Sequence, residues 1–220
     1  MAGTNKVEII GVMLARSLQA IRSSGGTLGY YPEIVEGLKA RYSFLSAPKE
    51  HEILLEPPKG IELKHGKFVY RDQVVIIDKF TLFNDGVAAD TTSSTDDSGY
   101  FLDDLMEWAK SAMPKAQISR PRYYLSHIEF KMSEPLEGYT PRLKPVGEQL
   151  TALLKSYGIA VPRYEATAIH LRFDQIGKIN PQPGVFFIDR RAGIPFSENI
   201  WFSQAPLRTK DHIALLEDLG

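Results

Sequence analysis

The chain has 220 residues, of which 26 are basic and 27 acidic, for a formal charge of -1; 43% are hydrophobic, 10% aromatic and 24% charged. These proportions describe a globular chain able to bury a core, and they exclude a global field that would draw it to nucleic acid or to an anionic membrane. The chain has no cysteine, which excludes disulfides, thiolate zinc sites, iron–sulfur clusters and cysteine nucleophiles, and suits a reducing cytoplasm.

The first element, "VEIIGVMLARSLQAI" at 7–21, reads as either a strand or a helix. Glu8, Arg16 and Gln19 interrupt it too often for a bilayer span, and Arg16 stands where a signal peptide would carry small cleavage-site residues. It is read as part of the fold. After the break "SSGGTLG", Pro32 opens a short helix whose Ile34, Val35, Leu38 and Tyr42 recur at near-helical spacing.

From 61 to 93 the runs are rich in Val, Ile, Phe, Tyr and Thr, which predicts a three-stranded antiparallel meander. Its turns are placed at His65-Gly66 and Asn84-Asp85-Gly86. The middle run, Val74 to Phe83, is apolar on both faces over its first half, as a central strand would be. Ser94 or Thr95 then caps a helix from about 96 to 113 that stops at Pro114, with Asp96 and Asp97 in its first turn. Phe101, Leu105, Trp108 and Ala112 form its buried row, with Leu102, Met106 and Ala109 alongside. Asp103, Asp104 and Glu107 fall on the wet face, with Lys110 placed to compensate Glu107.

The second half alternates. A strand is expected at 122–132 and a helix at 140–158, with Pro141 or Pro145 in its first turn and Gly158 as its stop. Leu143, Val146, Leu150, Leu153, Leu154 and Tyr157 make one apolar stripe on that helix. Strands follow at 163–173, 185–191 and 199–204, and Thr209 caps a terminal helix carrying Ile213, Leu215, Leu216 and Leu219. The order predicts one α+β domain over 1–220: a mixed, largely antiparallel sheet with an N-terminal meander and helices packed over it. Residues 114–121 are where it would subdivide.

The sharpest enzymatic pattern lies in "SHIEFKM", where strand alternation sets His127, Glu129 and Lys131 on one face. Glu129 and Lys131 resemble the Glu-x-Lys arrangement of restriction-endonuclease-like nucleases. That resemblance implies a carboxylate on Mg²⁺, a lysine orienting water, and a second carboxylate from Asp90, Asp103 or Asp104. It covers three residues, and the same charges arise by chance on exposed strands, so a metal-dependent nuclease or related hydrolase is the alternative reading. The five histidines, 51, 65, 127, 170 and 212, never take the H-x-H or H-x-x-x-H spacing of a compact zinc site. His127 and His170 would have to meet across a sheet to act as acid and base. No phosphate-binding glycine loop and no G-x-S-x-G elbow occurs. No cofactor or metal is expected.

"PGVFFIDRRAGIPFSENIWFSQAPL" at 183–207 gathers Arg190, Arg191, Phe196, Glu198, Asn199, Trp201 and Phe202 around a Gly193 to Pro195 turn. Aromatics with arginines are what interfaces enrich at their anchors. "RPRYY" at 120–124, with Arg163-Tyr164 and Arg172, mixes arginine with tyrosine as single-strand nucleic-acid sites do, but a balanced net charge argues against nucleic acid. The leading expectation is a cytoplasmic, non-enzymatic interaction or assembly subunit. It would bind a protein partner or itself through the 183–207 hairpin and the terminal helix, with neither nucleic acid nor membrane as partner. A third reading is a small-ligand cleft near His127, His170 and Arg190.

Overall fold

The computed structural model describes residues 7–23, 32–49, 60–83, 85–112, 116–118, 122–133, 136–159, 163–172 and 184–219. In chain order the elements are β1 (Val7–Ser23), α1 (Pro32–Tyr42), β2 (Ile61–Tyr70), β3 (Gln73–Phe83), β4 (Gly86–Thr91), α2 (Thr95–Ala112) and β5 (Ala116–Ile118). There follow β6 (Tyr123–Met132), α3 (Lys144–Ser156), β7 (Ala168–Leu171), β8 (Phe186–Arg190), β9 (Ile200–Ala205) and α4 (Thr209–Glu217). The strands form a large sheet in the order β2-β3-β4-β1-β6-β9-β8-β7, with β5 beside β1, and the pairings in register are antiparallel. This is the α+β class that the sequence predicts. No described helix is long and apolar enough to cross a membrane.

The chain divides into two compact units: residues 12–127 with 205–212, here the meander unit, and residues 1–11, 128–204 and 213–220, the carboxyl-side unit. The chain crosses between the units inside β1, β6, β9 and α4, after Gly11, His127, Gln204 and His212. Of the 114–121 stretch the described part is β5, which pairs with β1 within the meander unit.

Phe101 is the centre of the meander unit's core. Its ring meets Tyr42, Phe44, Phe68 and Phe80 edge-on, at centroid distances of 4.8, 6.5, 5.8 and 5.7 Å. Each such pair adds about 0.5–1.5 kcal/mol beyond area burial. Leu102, Leu105, Met106 and Ala109 are buried beside it, and Trp108 packs against the same cluster. Ala112 and Pro114 lie outside the described side chains.

The meander keeps its three strands, and β3 passes to β4 between Phe83 and Gly86 as predicted, but the β2–β3 turn lies elsewhere. The β2–β3 turn is Arg71-Asp72, with φ of 48° and 62°, and Tyr70 pairs with Gln73 directly before it. Two central residues at positive φ are what a two-residue hairpin requires, and Asp tolerates that region. His65-Gly66 sits inside β2 instead. At His65 (φ 55°) the inward face passes from Ile61 and Leu63 to Gly66 and Phe68. A Cβ at Gly66 would stand 2.5 Å from the Phe44 ring, so the glycine serves a close approach within a kinked strand. In β3, Val75 and Ile77 point inward while Val74 and Ile76 are exposed, so its first half is covered on one face only. Asn84 lies outside the described residues.

Two helix starts in this unit satisfy each other. Ser94 caps α2 in the ordinary way, its Oγ accepting the Asp97 N–H at 3.0 Å and donating to the Asp97 carboxylate at 2.9 Å. Thr95 instead serves α4. Its hydroxyl accepts the Thr209 N–H at 2.9 Å, and the Thr209 hydroxyl accepts the Thr95 N–H at 3.0 Å. Both threonines are buried, so removing one hydroxyl strands a first-turn donor away from water. Thr95→Ala and Thr209→Ala should each cost about 1–2 kcal/mol in urea denaturation, with Thr→Ser at either position close to wild type. Alanine variants indistinguishable from wild type would show that the reciprocal cap carries no stability.

The core of the carboxyl-side unit is Ile128, Phe130, Met132, Leu136, Ile188, Trp201 and Leu216. Helix α3 begins with Pro145 in its first turn and ends before Gly158 at φ 80°, as its sequence predicts. It docks through small and polar residues. Thr151 Oγ donates to the Gly147 carbonyl at 2.7 Å and accepts the Tyr164 N–H at 3.0 Å. A Cβ at Gly147 would lie 2.5 Å from the Tyr164 carbonyl oxygen. Gly147→Ala raises helix propensity by about 1 kcal/mol yet forces the helix off this seat, so a net destabilisation of about 1–3 kcal/mol is expected in chemical denaturation. A stabilised variant would mean that α3 is not held by this face.

Candidate functional site

On β6 the even positions Ser126, Ile128, Phe130 and Met132 are buried, and His127, Glu129 and Lys131 share the opposite face as alternation requires. Their surroundings are ion pairs. Glu129 Oε1 lies 2.8 Å from Arg191 Nε, and Lys131 is exposed. Asp90, the carboxylate offered as its partner, is buried and held by both oxygens on Arg16, at 2.6 and 2.8 Å. That pair spans adjacent β4 and β1 positions in register. Asp103 pairs with Arg122 at 2.6 Å, and Asp104 binds Arg41 at 3.0 Å and the Tyr42 hydroxyl at 2.7 Å. Burial, reinforced by Asp104, raises the Tyr42 pKa well above its ordinary value. Among the described residues no three metal-ligating side chains converge.

Arg122 also donates to Gln19 and to the Gly99 carbonyl, so the second arginine of "RPRYY" is built into the meander unit, while Arg120 lies outside the described residues. His170 is exposed and stacks on Phe187 at 5.2 Å, and β9 and β8 stand between β6 and β7 in the sheet order. His51 lies outside the described residues.

Most of the 183–207 segment turns inward. Trp201 is fully buried, and its Nε1 donates to Asn199 Oδ1 at 3.2 Å. Asn199, at φ 56°, donates from Nδ2 to the Met132 carbonyl at 2.7 Å and closes the start of β9 onto β6. Arg190 lies between two rings, 4.2 Å from the Phe196 centroid and 4.4 Å from that of Trp201, and donates to the Phe196 carbonyl at 2.7 Å. Burial lowers its pKa, and Glu165 at 3.7 Å offsets part of that. Phe202 is half-buried against Phe187. Only Phe196 and Glu198 of the seven proposed contact residues are exposed. In α4, Leu216 belongs to the core and Leu215 faces outward.

The meander unit holds a buried serine–histidine pair that the sequence did not single out. Ser126 Oγ lies 2.7 Å from His212 Nδ1, and both residues are wholly buried, which seats the imidazole as a neutral structural group. Burial, with His127 adding to it, lowers the His212 pKa to about 4 from 6.5. Between those values the unfolded chain takes up a proton that the folded chain refuses. Stability is therefore full above pH 6.5 and is lost as pH falls toward 4. The loss between pH 7 and pH 5 should be roughly 2 kcal/mol. Urea titrations of wild type and His212→Gln at both pH values measure it, and an equal pH-dependence in the two proteins would remove His212 from the account.

Among the described residues a row of exposed apolar side chains lies along α3. Leu143, Val146, Leu150, Leu153 and Tyr157 are between 39% and 69% exposed, although they form the stripe that an amphipathic helix ordinarily buries. The seat made by Gly147 and Thr151 turns this stripe outward. Tyr164 and Ile159 beside it are exposed as well. A smaller patch, Val69, Val74 and Ile76, lies at the tip of the β2–β3 hairpin. The sequence revealed the stripe but not its direction; the available signal was Gly147 and Thr151, two small residues one turn apart on the flank of the stripe.

No family model, no curated protein and no solved structure matches this chain.

Proposed function

We propose that this chain is a non-enzymatic interaction or assembly subunit that works in a reducing compartment such as the cytoplasm and binds protein through the outward face of α3. The observation that carries this reading is the apolar stripe of α3, exposed because the helix is seated by Gly147 and Thr151. A regular row of aliphatic side chains ending in tyrosine is the surface that laid-in helices use for recognition, and patches of this kind mark contact sites. The contact moves away from the 183–207 hairpin because Trp201 and Arg190 are committed to the interior of the same unit. Phe196 and Glu198 keep an outward position.

Cross-linking in cells followed by affinity capture tests the reading, with wild type beside Val146→Glu/Leu150→Glu. Wild type should carry cross-linked protein that the variant loses at equal expression, with circular dichroism showing both folded. The same cross-linked set on both proteins would overturn the proposal.

A further inference from the structure

We draw no further inference here: the strongest candidate, the row of exposed apolar side chains along α3, already carries the interaction reading above, and nothing in the structure shows what covers it.

Discussion

The Thr151 hydroxyl donates to the Gly147 carbonyl and accepts from the Tyr164 amide, and so holds α3 by its small, polar side. The Gly147 backbone can reach the Tyr164 carbonyl because it carries no side chain. The orientation of the helix follows from that close approach. Rotated by about a quarter turn, α3 would bury its leucines and leave Thr151 in water, as hydrophobic patterning alone would favour. The hydrogen bonds and the missing Cβ select the other face, and an apolar row is left exposed.

The meander unit depends on polar groups placed where the hydrophobic effect alone would put none. Ser98 Oγ donates to Ser17 Oγ at 2.9 Å, and Ser17 Oγ donates to the Thr95 carbonyl at 3.1 Å, tying β1 to the first turn of α2. Thr95 and Thr209 then join that turn to the start of α4. Such groups tolerate burial only when satisfied, so each fixes where its neighbours can sit. The charged residues behave alike. Asp90 with Arg16 and Asp103 with Arg122 are pairs within the fold, and Glu129 with Arg191 is another. Asp90, Asp103, Asp104 and Glu129, the carboxylates that suggested a metal site, are each paired with an arginine.

The elements were legible in the sequence because their signals are local. Pro32 opens α1, the row through Phe101 and Leu105 is the buried face of α2, and Gly158 ends α3. The failures share one cause, which is that local signals do not name their partners. Positive φ at His65 is real, but it serves a kink under Phe44 rather than a turn. Arg71-Asp72 makes the turn without glycine or asparagine. Thr95 was rightly placed at a helix start, yet its hydroxyl caps a helix more than a hundred positions away. Trp201 and Arg190 have an interface composition and an interior location, because an aromatic pair can enclose its own arginine.

The size of α3 sets the character of the contact. Thirteen helical residues extend about 20 Å, and a strip roughly 10 Å wide along them covers on the order of 200 Å². A standard stable interface takes about 800 Å² from each partner. On the reading proposed above, this row alone gives association that is reversible and sensitive to concentration, with loss of translational freedom opposing burial of the leucines. Exposed Tyr164 and Ile159 widen the apolar surface beside the helix and are where a stronger contact would extend.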